Sequence, residues 1–231
     1  MKIAIVVAMQ KELDLLLPHI SDDTVIENGR LPVHTGYMAG CEIIAMQSGI
    51  GKVNSALALQ WILNDLNPDL VINTGVAGGT GRAGILDVVV GEKVAYHDVW
   101  CGPGTVPGQA SGCPAFFEPP HEILSLPALD ASDGVIKGLI ASGDMFITSP
   151  EETERIRGLY PDVAAVDMES ASMAQTCWLQ GVPFLSVRVV SDTPGAADNI
   201  SQYENFWHDA PMRTFSVLMP LVSQISQLWK K

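Results

Sequence analysis

The chain has 231 residues, 47% of them hydrophobic and 17% charged, with a mean hydropathy of +0.22. That is material for a large core at a length common for one α/β domain, and so few charges point to a surface partly covered by a partner subunit. The formal net charge of −13 excludes nucleic-acid phosphates and anionic membranes as main partners, because both would be repelled; it suits a site that stabilises developing positive charge.

The unbroken apolar run Ile3–Ala8 predicts a buried strand. It is too short for a signal peptide and leads straight into Gln10-Lys11-Glu12. A helix follows over Met9–Leu17, with Leu13, Leu16 and Leu17 on one face, and stops at Pro18. Segments at Leu31–Tyr37 and Glu42–Gln47, bounded by Gly29, Gly36 and Gly40, predict a meander of strands. Ser48-Gly49-Ile50-Gly51-Lys52 is a turn feeding a helix from about Val53 to Leu66. Leu70–Asn73 is the next strand and ends in the glycine-rich Thr74–Gly81; two more pieces of strand are expected at Leu86–Val90 and Lys93–Trp100.

Cys101–Pro120 is dense in glycine and proline and has no internal period, so it is a long loop of the kind that is functional or packs on a neighbour. Val135–Ser142 is a strand. Ser149-Pro150-Glu151-Glu152 has the cap, the N1 proline and the acids of a helix start. Val163–Val166 is a strand that gives way to Asp167-Met168-Glu169 where a helix begins at Ser170. Pro183–Val190 is a strand ending in Ser191-Asp192, and a helix from about Tyr203 to Lys230 closes the chain. With no linker, repeat or low-complexity tract, residues 1–231 are expected to form a single α/β domain with a large mixed β-sheet flanked by helices. Cys41, Cys101, Cys113 and Cys177 are scattered without a C-x-x-C. They read as reduced thiols, and the expectation is a cytoplasmic protein.

Acids at strand ends are the chemical signal. In open α/β folds, ligands bind at the carboxyl edge of the sheet. Glu169 lies at such an edge; Glu12 and Asp192 occupy similar positions elsewhere. Acids there also serve simply as charges favoured at helix N-termini. Three acids offer a metal site, but no histidine lies near them and no D-x-D spacing occurs, so no metal is assigned. Three acids without a metal suit glycosidic cleavage: one assists the leaving group, one activates water, and their charge steadies an oxocarbenium-like sugar. Gly75-x-x-Gly78-Gly79 and Ser48–Lys52 both lack the spacing of a phosphate loop. Close approach of backbone to a flat ligand is the other use of such glycines.

The order of motifs resembles the nucleoside phosphorylase/nucleosidase superfamily, most closely the 5'-methylthioadenosine/S-adenosylhomocysteine nucleosidase family. The matching pieces are Ala8-Met9-x-x-Glu12, Ser48-Gly49-Ile50-Gly51-Lys52-Val53, Asn73-Thr74-Gly75-x-Ala77-Gly78-Gly79 and Tyr96-His97-Asp98. They continue through Gly112-Cys113-Pro114-Ala115, Ser142-Gly143-Asp144-x-Phe146-Ile147, Val166-x-Met168-Glu169 and Val187-Arg188-x-x-Ser191-Asp192. The resemblance implies a cofactor-free hydrolase with a nucleoside phosphorylase-like fold, acting on 5'-substituted adenosines as a homodimer. It implies that Asp192 shares a proton with adenine N7, that Glu12 is the base acting on water, and that Glu169 holds the ribose hydroxyls above Met168. Phe146 would stack on adenine and the backbone of Ile147 read its edge. Met9, Ile50, Trp100 and Tyr203 would line the alkylthio pocket. Arg188 would orient the water and Ser191 would orient Asp192, with Val76, Ala77 and Gly78 also bordering the substrate. Val76 departs from the family's usual small polar residue, and the Cys101–Pro120 loop is reshaped by Gly102-Pro103-Gly104. A phosphorylase of the same fold, a nucleosidase for a related adenosine such as aminodeoxyfutalosine or 5'-deoxyadenosine, and a nucleoside-binding protein without catalysis are the rival readings.

Overall fold

Unbroken apolar runs build the centre of the molecule. A computed structural model describes residues 1–130, 134–206 and 210–228. β1 (Lys2–Val7) is buried on both faces from Ile3 onward and is flanked by two parallel neighbours, β4 (Cys41–Gln47) and β5 (Leu70–Gly79). Strands clothed on both sides read as continuous β-branched runs, and that is why this part was readable. β3 (Val33–Met38) extends the sheet antiparallel to β4, and β2 (Ser21–Ile26) adds a fully exposed edge. No expectation covered β2. Its polar sequence carries no burial pattern, and only pairing with β3 makes it a strand.

The other half of the sheet closes on itself. The strand order is β2-β3-β4-β1-β5-β8-β7-β6-β9, and β9 (Phe184–Asp192) pairs back onto β5. β5, β8 (Val163–Asp167), β7 (Val135–Ser142), β6 (Val88–Tyr96) and β9 therefore form a closed ring, with antiparallel joints at β5–β8 and β6–β9. A closed ring has few open edges to protect.

Helices cover both faces. α2 (Lys52–Asp65) buries Ala58, Leu59, Ile62 and Leu63 and packs beside α5 (Ser170–Gln180), whose small residues allow close contact. α1 (Gln10–Leu16) and α7 (Ala210–Leu228) cover the opposite face, α7 through Val217, Leu218, Leu221, Val222 and Ile225. α3 (His121–Leu124) is one short turn, α4 (Pro150–Leu159) follows β7, and α6 (Asn199–Asn205) follows β9. Among the described residues, no helix is long and apolar enough to cross a membrane.

Three expectations need correction. The strand expected to end at Asn73 runs on through the glycines to Gly79, hydrogen-bonded to β9 along its length. The glycine-rich stretch is therefore ladder, and its N–H groups are not arrayed as a phosphate loop. The two pieces expected at Leu86–Val90 and Lys93–Trp100 are one strand, β6, with an irregularity between Gly91 and Lys93, and it ends at Tyr96. The closing helix is two: α6 ends at Asn205 and α7 begins at Ala210. The expected end at Lys230 lies outside the described residues.

The start of α4 follows its local sequence. Ser149 Oγ accepts from Glu152 N at 3.2 Å, with Pro150 first in the helix. Ser149→Ala is expected to lower stability by about 1 kcal/mol, and Ser149→Asn to restore it; urea unfolding of the three proteins is the check.

Candidate active site

Four strand ends converge on one cavity. Glu12 enters from the first turn of α1 after β1, Ile50 from the turn after β4, Glu169 from the end of β8 and Asp192 from the end of β9. β5 forms the floor with Val76, Ala77 and Gly78, and the segment after β7 supplies Phe146 and Ile147. Met9, Met168, Arg188, Ser191 and Tyr203 also border the cavity. Trp100 does not. β6 stops at Tyr96 and the chain turns away, leaving Trp100 64% exposed beside a separate hollow shared with Pro107 and Arg155.

Arg188 governs the buried electrostatics. It points inward from the middle of β9 and is 1% exposed. Its Nη2 lies 2.6 Å from Asp167 Oδ2 and 3.3 Å from Glu169 Oε2, and it also donates to Asn73 Oδ1. Asp167 in turn accepts from Ser142 Oγ at 2.5 Å and from Ser170 Oγ. The place a cation would take between these acids is filled by the guanidinium.

Glu12 is held by the backbone. Its Oε2 accepts from the N–H groups of Ala8 and Met9, both at 2.9 Å, and its Oε1 accepts from Val76 N at 3.0 Å. A carboxylate at the third position of a helix reaches back to N–H groups at and just before its N-cap. Burial nevertheless raises its pKa, against Arg188 and the backbone bonds that lower it. Gly75 stands opposite Arg188 in the ladder. A Cβ at Gly75 would lie 2.4 Å from Glu12 Oε1 and 2.9 Å from Arg188 Nη1. The glycine thus makes room for both groups. Val76 meets Glu12 through its backbone N–H, so the loss of a side-chain hydroxyl leaves this anchor intact.

The remaining acids are tuned differently. Glu169 accepts from Gly51 N at 3.0 Å through Oε1, and burial raises its pKa to about 7, with Arg188 opposing and Asp167 adding to the rise. Asp192 accepts from Ser191 Oγ at 2.5 Å and from Asn199 Nδ2; burial raises its pKa while these two bonds lower it. Phe146 and Tyr203 meet edge to face at 5.6 Å, and Tyr203 Oη donates to Met9 Sδ at 3.3 Å. This end of the cavity is apolar and open to solvent at Ile50 and Phe146.

Asp167, Asn73, Ser170 and Asn199 were not among the expected site residues. Asn73 carried a signal, a polar residue closing an apolar strand. Asp167 carried one too, standing beside Met168-Glu169. Asn199 had none, because the turn around Pro194-Gly195 separates it from Asp192.

Removing the guanidinium leaves two buried carboxylates without a counter-charge, which typically costs about 3–5 kcal/mol. Glu169, already raised to about 7 by burial against the pull of Arg188, then titrates higher still in the folded state than in the unfolded one. The folded state binds extra protons between the two values, and stability falls as pH rises through that window. Arg188→Met is therefore expected to be far more destabilised at pH 8 than at pH 5 in urea unfolding.

A family model described as the phosphorylase superfamily matches residues 2–223. The chain is 36% identical to the 5'-methylthioadenosine/S-adenosylhomocysteine nucleosidase of Geobacillus sp. (strain WCH70), over 98% of this chain and 100% of that one. The nucleosidase of Neisseria meningitidis, solved in complex with methylthio-immucillin-A, superposes with a TM-score of 0.90 at 34% identity, covering 96% of this chain and 99% of that one. The futalosine hydrolase of Helicobacter pylori superposes with a TM-score of 0.88 at 28% identity, covering 96% and 97%. With that coverage end to end, the chain belongs to the phosphorylase superfamily, in the family of the 5'-methylthioadenosine/S-adenosylhomocysteine nucleosidases.

Proposed function

We propose that the protein, working as one domain, hydrolyses the N-glycosidic bond of 5'-methylthioadenosine and S-adenosylhomocysteine, releasing adenine and the corresponding thioribose. The observation that carries this reading is the placing of Glu12, Glu169 and Asp192 around one cavity with a single buried guanidinium among them. Acids outnumber the cation there, which favours a sugar that becomes positive as its bond to the base breaks.

The steps follow from the environments. Asp192, with its raised pKa, is suited to hold a proton at adenine N7, so that the base leaves neutral as the C1'–N9 bond breaks. Glu12, anchored by three N–H groups that oppose the rise burial gives its pKa, takes a proton from the water whose oxygen bonds to C1'. Glu169 accepts from the ribose hydroxyls, with Met168 beneath the ring. Phe146 stacks on adenine, the Ile147 backbone reads its edge, and Ser191 steers Asp192. Met9, Ile50 and Tyr203 form an apolar end that suits a thioether. Arg188 orients the water while anchored by Asp167.

Arg188 also argues against a phosphorylase. Its charge is engaged by Asp167 and Glu169, and Glu12 stands where a phosphate dianion would be repelled. The likeness to a futalosine hydrolase supports a second reading, a wider tolerance at the 5' position, since the apolar end opens to solvent at Ile50. A homodimer is part of the proposal. Exposed Val53 and Leu57 on α2, and Trp100 and Val106 at the long loop, are the apolar surface for it. Cys41, Cys101, Cys113 and Cys177 are in no disulfide among the described residues, which favours a cytoplasmic setting.

Adenine release from both nucleosides, at a rate indifferent to added phosphate, is the expected result; a strict phosphate requirement would return the phosphorylase reading. Glu12→Gln and Asp192→Asn are each expected to lower kcat by about 10²- to 10⁴-fold, with nucleoside affinity retained. The rate requires Glu12 ionised and Asp192 protonated. It should fall on the acid side as Glu12 gains its proton and on the alkaline side as Asp192 loses its own. Both limbs lie above the usual carboxylate range, and kcat/KM against pH reads them.

A further inference from the structure

α2 starts with a gap that the rest of the chain fills. Its N-cap is Gly51, at φ +94°, which offers no side-chain acceptor to the free N–H groups of the first turn. The missing acceptor comes from 92 residues away: Asp144 Oδ1 accepts from Lys52 N at 2.7 Å. Asp144 is itself fixed, since its own N–H donates to Asp98 Oδ2 at 2.9 Å. Lys52 Nζ completes a ring, 2.8 Å from Asp98 Oδ2 and 3.7 Å from Asp144 Oδ2. Gly143 is what allows the closure. A Cβ there would fall 2.3 Å from His97 Cε1 and 2.9 Å from Asp98 Cγ.

Each side of this ring leads to the cavity, though none of its three side chains borders it. On one side, Gly51 immediately precedes Lys52 and donates its N–H to Glu169 Oε1 at 3.0 Å. A second tie runs behind the same turn: Ser55 Oγ donates to Gly51 O at 2.9 Å and lies 2.6 Å from Ser172 Oγ, which donates to Glu169 O at 2.8 Å. On the other side, Asp144 leads directly into Met145, Phe146 and Ile147, the wall after β7. The ring therefore fastens the Phe146 wall to the loop that holds Glu169. The Ile50–Gly51 turn and the Phe146 wall follow different strands, and no backbone ladder pairs β4 with β7; Glu169 itself follows β8, which the ladder to β7 already ties to that wall.

We propose that Lys52, Asp98 and Asp144 are positioning residues for the nucleoside, seating the Phe146 wall against the Ile50–Gly51 turn and keeping the Gly51 N–H aimed at Glu169. The inference rests on the nucleosidase reading, in which the purine lies against the Phe146 wall and the ribose against Glu169. A nucleoside meets the Phe146 wall and the Gly51-held Glu169 together; free adenine touches the wall alone. A shift of about 1 Å in such a scaffold costs on the order of 10²-fold in rate.

Hydrolysis of methylthioadenosine and binding of free adenine are measured for wild type, Asp144→Ala, Lys52→Met, Asp144→Asn and Lys52→Arg. Asp144→Ala and Lys52→Met are expected to lose about 10- to 100-fold in kcat/KM while keeping their adenine affinity. Asp144→Asn retains an acceptor for Lys52 N and Lys52→Arg retains the cation, so both are expected to recover most of the rate. Unchanged kcat/KM in Asp144→Ala overturns the inference alone. So does a loss shared equally by adenine affinity and thermal stability and not relieved by the two conservative variants, because that is general unfolding. A wild-type protein that releases no adenine overturns the nucleosidase reading and this inference together.

Discussion

A guanidinium buried in the middle of a strand has to find carboxylates, and Arg188 finds them on the neighbouring elements of the ring. Asp167 at the end of β8 and Glu169 just beyond it both face it, and Asn73 on β5 takes a further N–H. Burying such a group is expensive, so every partner must be in place for the ring to close. The ion pairs thus link the joint between β5 and β9 to the end of β8, which is where the cavity forms. Structure and chemistry share one cluster. A change that loosens Arg188 moves Glu169 and the strands together.

Around that cluster the acids are held by different means, and so are tuned differently. Glu12 is fixed by three N–H groups of the backbone, Glu169 by one N–H and the guanidinium, and Asp192 by a hydroxyl and an amide. Burial raises all three pKa values, and the partners decide how far. Separating a group that gives a proton from one that takes it is what acid–base cleavage of a glycosidic bond requires. The same backbone anchoring explains why Val76 fits: what the carboxylate of Glu12 uses at that position is an N–H, which every residue but proline supplies.

The outer ring of Lys52, Asp98 and Asp144 adds a tier beyond the cavity. Exposed ion pairs alone contribute little, about 0–1 kcal/mol. Here one carboxylate also accepts from the open end of a helix, and the chain on either side of the ring runs straight into the cavity wall. Its consequence is geometric, the seating of the Ile50–Gly51 turn against the wall after β7, which no shared strand pairing sets.

The buried strands β1, β4, β7, β8 and β9 were legible in the sequence, because a strand covered on both faces is largely apolar along its length. The N-terminal cap of α4 was legible too, since its chemistry is local. So were the acids at the strand ends, once the order of motifs was weighed with them. Local sequence had no means of showing the exposed strand β2, whose identity comes from pairing, or the passage of β5 through its glycines, which depends on β9 lying alongside. Nor did it show Trp100 turning away from the cavity, because the end of β6 is set by its neighbours. Asn199 beside Asp192, and Asp144 capping a helix that starts 92 residues earlier, are contacts made only when distant segments meet. What each segment becomes was written in its own burial pattern; which side chains share a proton or a carboxylate was decided by the closing of the sheet.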